Sequence, residues 1–227
     1  MIPSKIRIVS LIFKSALVIA AVIGVVISAL ASKETVMGGG RVFMFFTIQS
    51  NIAIALISAP EILWMVKGTV PGRIFLIIKF AGTISITLTG VVFTVVLAPT
   101  LGSFAWLIQN VLTHMVVPVL AIVDFFLIGT YGDLDKKTVP FVILPPLFYA
   151  IYAGIAYVAG WEFSEGINYP YFFLNWGSPA GAFGFSSELP FMGCVWWILI
   201  LLMFLLGIGF LYLWILGKIR KRTGRGQ

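Results

Sequence analysis

Six stretches of about 20 or more mostly apolar residues recur along this chain of 227 residues, and that recurrence constrains the fold more than any other feature. They run approximately 8–30, 42–66, 74–98, 104–128, 139–158 and 191–216. An α-helix needs about 20 residues to cross the hydrocarbon of a bilayer, where only a helix or a closed barrel satisfies its own backbone. Side chains are 60% apolar and 10% charged, against roughly 45–50% and about 25% in soluble domains. The first stretch is too long for a signal peptide and lacks a small-residue cleavage site before charged sequence. The expectation is an all-α fold: residues 1–227 form a single six-helix transmembrane domain, a polytopic integral membrane protein.

The formal net charge of +7 does not point to nucleic acid, because Lys and Arg are sparse and interrupted by apolar runs that break any phosphate-tracking stripe. Their placement is a topology signal instead. One set of helix ends holds Lys5, Arg7, Lys67, Arg73, Lys136, Lys137, Lys218, Arg220, Lys221, Arg222 and Arg225, and the other only Lys33 and Arg41. The positive-inside rule then puts both termini in the cytoplasm, and the plasma membrane is the expected location. Trp64, Trp106, Trp161, Trp196, Trp197 and Trp214 fall near span ends, as interfacial aromatics do. The outer connection 161–190 is long and rich in Gly, Ser, Asn and aromatics, which suits either a lid or a segment lying on the lipid headgroups. Small residues such as Ala150 and Gly154 permit close helix contact within one chain or in a homo-oligomer.

In so apolar a chain, polar side chains at membrane depth carry the information, since an unpartnered one costs several kcal/mol. The second span carries Thr47, Asn51 and Ser58 within about 40° of one another at 100° per residue, with Ser50 and Glu61 flanking them. The fourth carries Gln109, Asn110, Thr113 and His114, with Pro118 placed to leave the His114 carbonyl without its helical donor and to kink the helix. The third places Lys79, Thr83 and Thr87 on one face. Depth sorts these groups into two layers. Lys14, Glu61, Lys79 and Asp124, two cations and two anions, fall in the cytoplasmic half, where they form either an ion-pair network or a proton or ion path. Thr47 and His114 fall in the outer half, about 7 Å apart in depth at 1.5 Å per residue.

His114 is the sole histidine, either an interhelical hydrogen-bonding group or a general base. Thr47 is the candidate nucleophile in its layer, with Ser50 one turn deeper. Asn51, Asn110 and Gln109, with Ser50, are candidates to bind substrate or its oxyanion. Asp124 lies about 15 Å further along the span and on another face, so it does not orient the histidine. The one cysteine, Cys194, allows no disulfide within the chain. No serine elbow, phosphate-binding loop, zinc-protease motif or carboxylate-rich metal cluster occurs, so no cofactor or metal is expected. A transporter, channel or lipid-binding protein lined by the same residues is the competing class, and a structural scaffold a third.

Gly38-Gly39-Gly40-Arg41 followed by Phe46-Thr47-Ile48-Gln49-Ser50-Asn51, Thr113-His114 with Pro118 and Asp124-Phe125-Phe126, and Tyr169-Pro170-Tyr171-Phe172-Phe173-Leu174 together resemble a bacterial family of six-helix membrane proteins without an assigned function. Nearly the whole chain is covered. Through its helix order, the glycine-rich approach to the threonine and the histidine of the fourth span, that family is similar to the eukaryotic androgen-induced and androgen-dependent membrane proteins. Those are threonine hydrolases of fatty acid esters of hydroxy fatty acids. The resemblance implies Thr47 as nucleophile, His114 as essential histidine, and a membrane lipid ester as substrate.

Overall fold

The computed structural model describes residues 4–33, 35, 38–69, 71–128 and 134–222; of the residues counted for topology, Arg225 lies outside this set. Six helices are long and apolar enough to cross a membrane, the pattern of a multi-pass membrane protein: α1 (Ser4–Ser32), α2 (Phe46–Val66), α3 (Arg73–Trp106), α4 (Ile108–Leu127), α5 (Lys136–Val158) and α6 (Cys194–Arg222). Among the described residues there is no strand, and only two isolated bridges, Ser164 to Ile167 and Phe185 to Met192.

The helices differ from the expected runs at their ends. α3 continues eight residues past 98, through Ala98–Leu101 and the 3₁₀ turn Gly102–Trp106, and α4 begins at Ile108 rather than 104. α6 begins at Cys194 because the residues before it close the loop bridge between Phe185 and Met192. The α1–α2 connection turns through Gly38 and Gly39, with φ of 58° and 50°, into the 3₁₀ turn Gly39–Met44. Gln49 caps that turn by donating to the carbonyl of Phe43 at 3.1 Å.

Two π-helical segments, Phe93–Leu97 in α3 and Leu112–Val116 in α4, each stop two residues short of a proline, Pro99 and Pro118. A proline has no N–H to give and crowds the carbonyl four residues back, and a widened turn accommodates both defects. The defect expected at Pro118 takes the form of a π-helical turn, and His114 lies within it.

α3 is the central helix. On one side Ile86 joins Leu17, Ala20 and Ala21 of α1, Ile54 and Ala55 of α2, and Val117 and Ala121 of α4. On the other, Phe80, Ile84 and Leu88 pack with Phe125 and with Val139, Val142, Leu205, Tyr212 and Leu216 of α5 and α6. Outward faces stay apolar, with Ile12, Val22, Leu56, Leu63, Ile155, Met203 and Trp214 all exposed; water would penalise so much continuous apolar surface, and lipid does not.

Near the end that holds both termini, Lys14, Glu61, Lys79 and Asp124 close into a ring. Lys14 Nζ lies 2.8 Å from Glu61 and 2.5 Å from Asp124, and Lys79 Nζ 2.7 Å from each carboxylate. Ser10 Oγ donates to the other Asp124 oxygen at 2.6 Å. All four charged side chains are at least 96% buried, so the ring balances its charge internally and joins one residue from each of α1 to α4.

Candidate functional site

The other polar layer lies at the opposite end, roughly 21 Å from the charge ring along α2, where 14 residues separate Thr47 from Glu61. Thr47 stands in the first turn of α2, and its carbonyl accepts from Ser50 Oγ at 3.0 Å and from Asn51 Nδ2 at 2.8 Å. Asn51 Nδ2 also donates to the Thr113 carbonyl at 3.0 Å, which ties α2 to α4. Ser50 Oγ further meets Thr89 Oγ1 of α3 at 2.8 Å. Asn51 and Ser50 thus hold the backbone that carries Thr47.

His114 comes from the π-helical turn of α4. Its Nε2 lies 3.2 Å from Thr47 Oγ1, so the depth offset read along the two spans does not keep the pair apart. Its Nδ1 lies 3.1 Å from the Asn110 carbonyl and 3.1 Å from Thr113 Oγ1. A carbonyl only accepts, so in the neutral ring the proton sits on Nδ1, and Nε2 presents its lone pair to the Thr47 hydroxyl. Phe93, from the other π-helical turn, stacks on the imidazole with centroids 3.8 Å apart and planes at 21°. Gly90 packs behind: a Cβ there would sit 3.0 Å from the His114 carbonyl, the one Pro118 deprives of its helical donor.

Sequence reasoning singled out the connection between α5 and α6 but not the residue in it that reaches the site. Tyr171 Oη lies 3.3 Å from the Thr47 amide nitrogen, from which it accepts, and 3.4 Å from Thr47 Oγ1. Burial pushes its phenol above the usual tyrosine value, so it remains a neutral O–H donor. Tyr171 is stacked on Phe173, with centroids 5.1 Å apart, and Phe173 and Leu174 are buried against Tyr149 and Ala153 of α5. The first half of the connection folds inward over the bundle as a lid does. In its second half Phe183, Phe185 and Phe191 are exposed, as expected of a segment lying on headgroups. At the rim Arg41 pairs with Glu162 at 2.9 Å.

The oxyanion candidates separate. Both amide hydrogens of Asn51 serve backbone carbonyls, and Ser50 bonds the Thr47 carbonyl and Thr89, so neither keeps a free donor. Asn110 donates through its side chain to the Phe104 carbonyl at 2.8 Å and serves the site instead through its backbone carbonyl. Gln109 lines the adjoining cavity.

That cavity, about 460 Å³, lies between the ends of α1, α3 and α4 under the lid, and its wall includes Thr47, His114, Thr113 and Tyr171. A second, about 60 Å³, lies on the other side of Thr47, lined mostly by apolar residues of α3, α5, α6 and the lid. Thr47, Phe93, Leu97 and Tyr171 line both, whereas His114 lines only the larger. Between this layer and the charge ring stand Leu17, Ile54, Ile86, Val117 and Ala121, all at most 2% exposed. No protein-family model, curated protein or solved structure matches the chain.

Proposed function

We propose that this chain is an intramembrane hydrolase of lipid acyl esters, with Thr47 as nucleophile and His114 as general base. One observation carries the reading. A threonine hydroxyl lies 3.2 Å from an imidazole nitrogen whose opposite nitrogen is held by a backbone carbonyl, on the wall of a 460 Å³ cavity. A nucleophile, a base oriented by a third group, and space for a substrate are the parts that acyl transfer needs.

In the proposed orientation the six helices cross the plasma membrane with both termini cytoplasmic, and the Thr47 layer lies in the outer half. The eleven-to-two distribution of Lys and Arg over the helix ends supports it. A lipid ester enters from the outer leaflet and sets its carbonyl carbon against Thr47 Oγ1. His114 Nε2 takes the hydroxyl proton as the C–O bond forms. The tetrahedral intermediate then collapses, the C–O bond to the leaving alkoxide breaks, and His114 returns the proton to that oxygen. A water activated by the same nitrogen hydrolyses the acyl-threonine. Tyr171 Oη, with the Thr47 N–H as its donor, is positioned to give its own proton as a hydrogen bond to the oxyanion, a contribution of about 3–4 kcal/mol for a well-placed donor.

A channel or transporter needs a polar route from the outer layer to the charges; Leu17, Ile54, Ile86, Val117 and Ala121 are buried between them, and the polar groups Thr83, Ser85 and Thr87 at the same depth donate to carbonyls of their own helix, which favours the hydrolase reading. The charge ring is read as a structural ion-pair network. The resemblance to the threonine hydrolases of fatty acid esters of hydroxy fatty acids is proposed on the same two residues.

A lipid-like fluorophosphonate incubated with the purified protein should leave its adduct on Thr47, located by mass spectrometry. Thr47→Ala should abolish labelling, and His114→Ala should slow it by at least about a thousandfold. Adduct formation undiminished in Thr47→Ala removes the assignment.

A further inference from the structure

When His114 takes the Thr47 proton its ring becomes a cation, and a cation buried among membrane helices needs something to meet its charge. A hydrolytic triad supplies a carboxylate on the far ring nitrogen. Here that nitrogen meets the Asn110 carbonyl and Thr113 Oγ1, and among the described residues no carboxylate pairs with His114. Asp124 is engaged in the charge ring, about 15 Å further along α4. The plane of the imidazole therefore offers its charge only neutral acceptors.

Against the face of the imidazole lies Phe93, 3% exposed, with its centroid 3.8 Å away and the two planes at 21°. Carbon atoms in contact are about 3.5–4.0 Å apart, so the two rings overlap almost fully face to face. Neutral aromatic rings prefer offset or edge-on pairs with centroids about 4.5–7 Å apart, and the other ring pairs among the described residues keep to that range, from 4.7 to 6.4 Å. The face of a phenyl ring is electron-rich, and a cation is drawn to it most strongly where water is excluded. The arrangement suits an imidazolium better than a neutral imidazole. The geometry points to Phe93 as the group that stabilises the charge His114 carries between its two proton transfers, in place of a triad carboxylate. This rests on the reading of Thr47 as nucleophile and His114 as base. Phe93 acts through His114 and is a positioning residue. No bond forms or breaks at it: the proton passes from Thr47 Oγ1 to His114 Nε2 and on to the leaving alkoxide, and the phenyl ring lowers the energy of the cation in between.

The test uses the purified full chain in detergent with Phe93 replaced, by genetic incorporation, with phenylalanine carrying one, two, three or five ring fluorines. Each fluorine withdraws electron density from the face while the ring keeps nearly its size. The limiting rate of Thr47 labelling by the fluorophosphonate should fall steadily with fluorine number. In the pentafluoro chain it should be about thirtyfold below the unmodified one, equivalent to about 2 kcal/mol at about 1.4 kcal/mol per tenfold. The probe concentration that gives half of the limiting rate should change by less than about threefold, because the charge exists only once the proton has moved. Phe93→Leu, which keeps apolar volume without a π face, should slow labelling at least as much. A rate that is flat across the fluorine series overturns the role of Phe93 and leaves Thr47 and His114 in place. So does a Phe93→Leu chain labelled at the unmodified rate, or a loss that follows a falling melting temperature rather than fluorine number. Absence of labelling in the unmodified chain, or labelling that Thr47→Ala does not diminish, removes the underlying reading and the role of Phe93 with it.

Discussion

The charge ring and the threonine–histidine layer are built by the same helices and are both buried, yet they are satisfied in different ways. In the ring every carboxylate meets two ammonium groups and every ammonium two carboxylates, with Ser10 on a further oxygen. In the other layer the supporting groups, Ser50, Asn51 and the Asn110 carbonyl, are bonded inward, while Thr47 Oγ1, His114 Nε2 and Tyr171 Oη converge at the wall of a cavity. A polar cluster closed on itself holds helices together. One that keeps a face toward empty volume can act on a ligand.

The largest effect that can break this contrast is in the ring. Asp124→Ala leaves Lys14 and Lys79 sharing a single carboxylate, and removing one partner of a buried pair costs about 3–5 kcal/mol. A melting temperature in detergent within a degree of wild type would mean that the ring is not structural. Next comes Tyr171→Phe, which keeps the aromatic contacts with Phe173 and removes only the hydroxyl. Turnover should fall about a hundredfold or more with KM little changed, as expected of a donor that acts on the transition state; an equal loss in binding would make Tyr171 a substrate contact instead. Its stability should change far less than in Asp124→Ala. The smallest effect belongs to the rim. Arg41→Ala removes a pair whose side chains are 37% and 43% exposed, and a change in unfolding free energy beyond about 1 kcal/mol would show that the lid depends on that pair.

The layers themselves are legible in the sequence, because polar residues in apolar runs are few and helical periodicity puts them on faces. Thr47 meets His114, and Lys14 meets Glu61, Lys79 and Asp124 in one ring, the same sets that share a depth in the sequence. Two participants were out of its reach for physical reasons. The group that orients His114 is the carbonyl of Asn110, and every residue has a carbonyl; only the π-helical register of α4 selects this one. Tyr171 lies in a connection with Tyr169 and several phenylalanines nearby, where no periodicity states which ring turns inward. Pro118 marks a defect in α4, but not its π-helical form, nor that Pro99 marks a matching widened turn from which Phe93 stacks on the imidazole.

The ring also bears on how the molecule is made. If helices enter the membrane in chain order, Lys14 arrives as a lone cation, Glu61 neutralises it, Lys79 restores a net positive charge, and only Asp124 brings the sum to zero. Each intermediate with an odd charge is costly in hydrocarbon, so the first four helices form a set that is complete when the fourth arrives. α5 and α6 then join a body whose interior is already neutral, bringing the lid and the second wall of the small cavity. In that order of insertion the charges at one end of the bundle are balanced before the Thr47 layer at the other is enclosed.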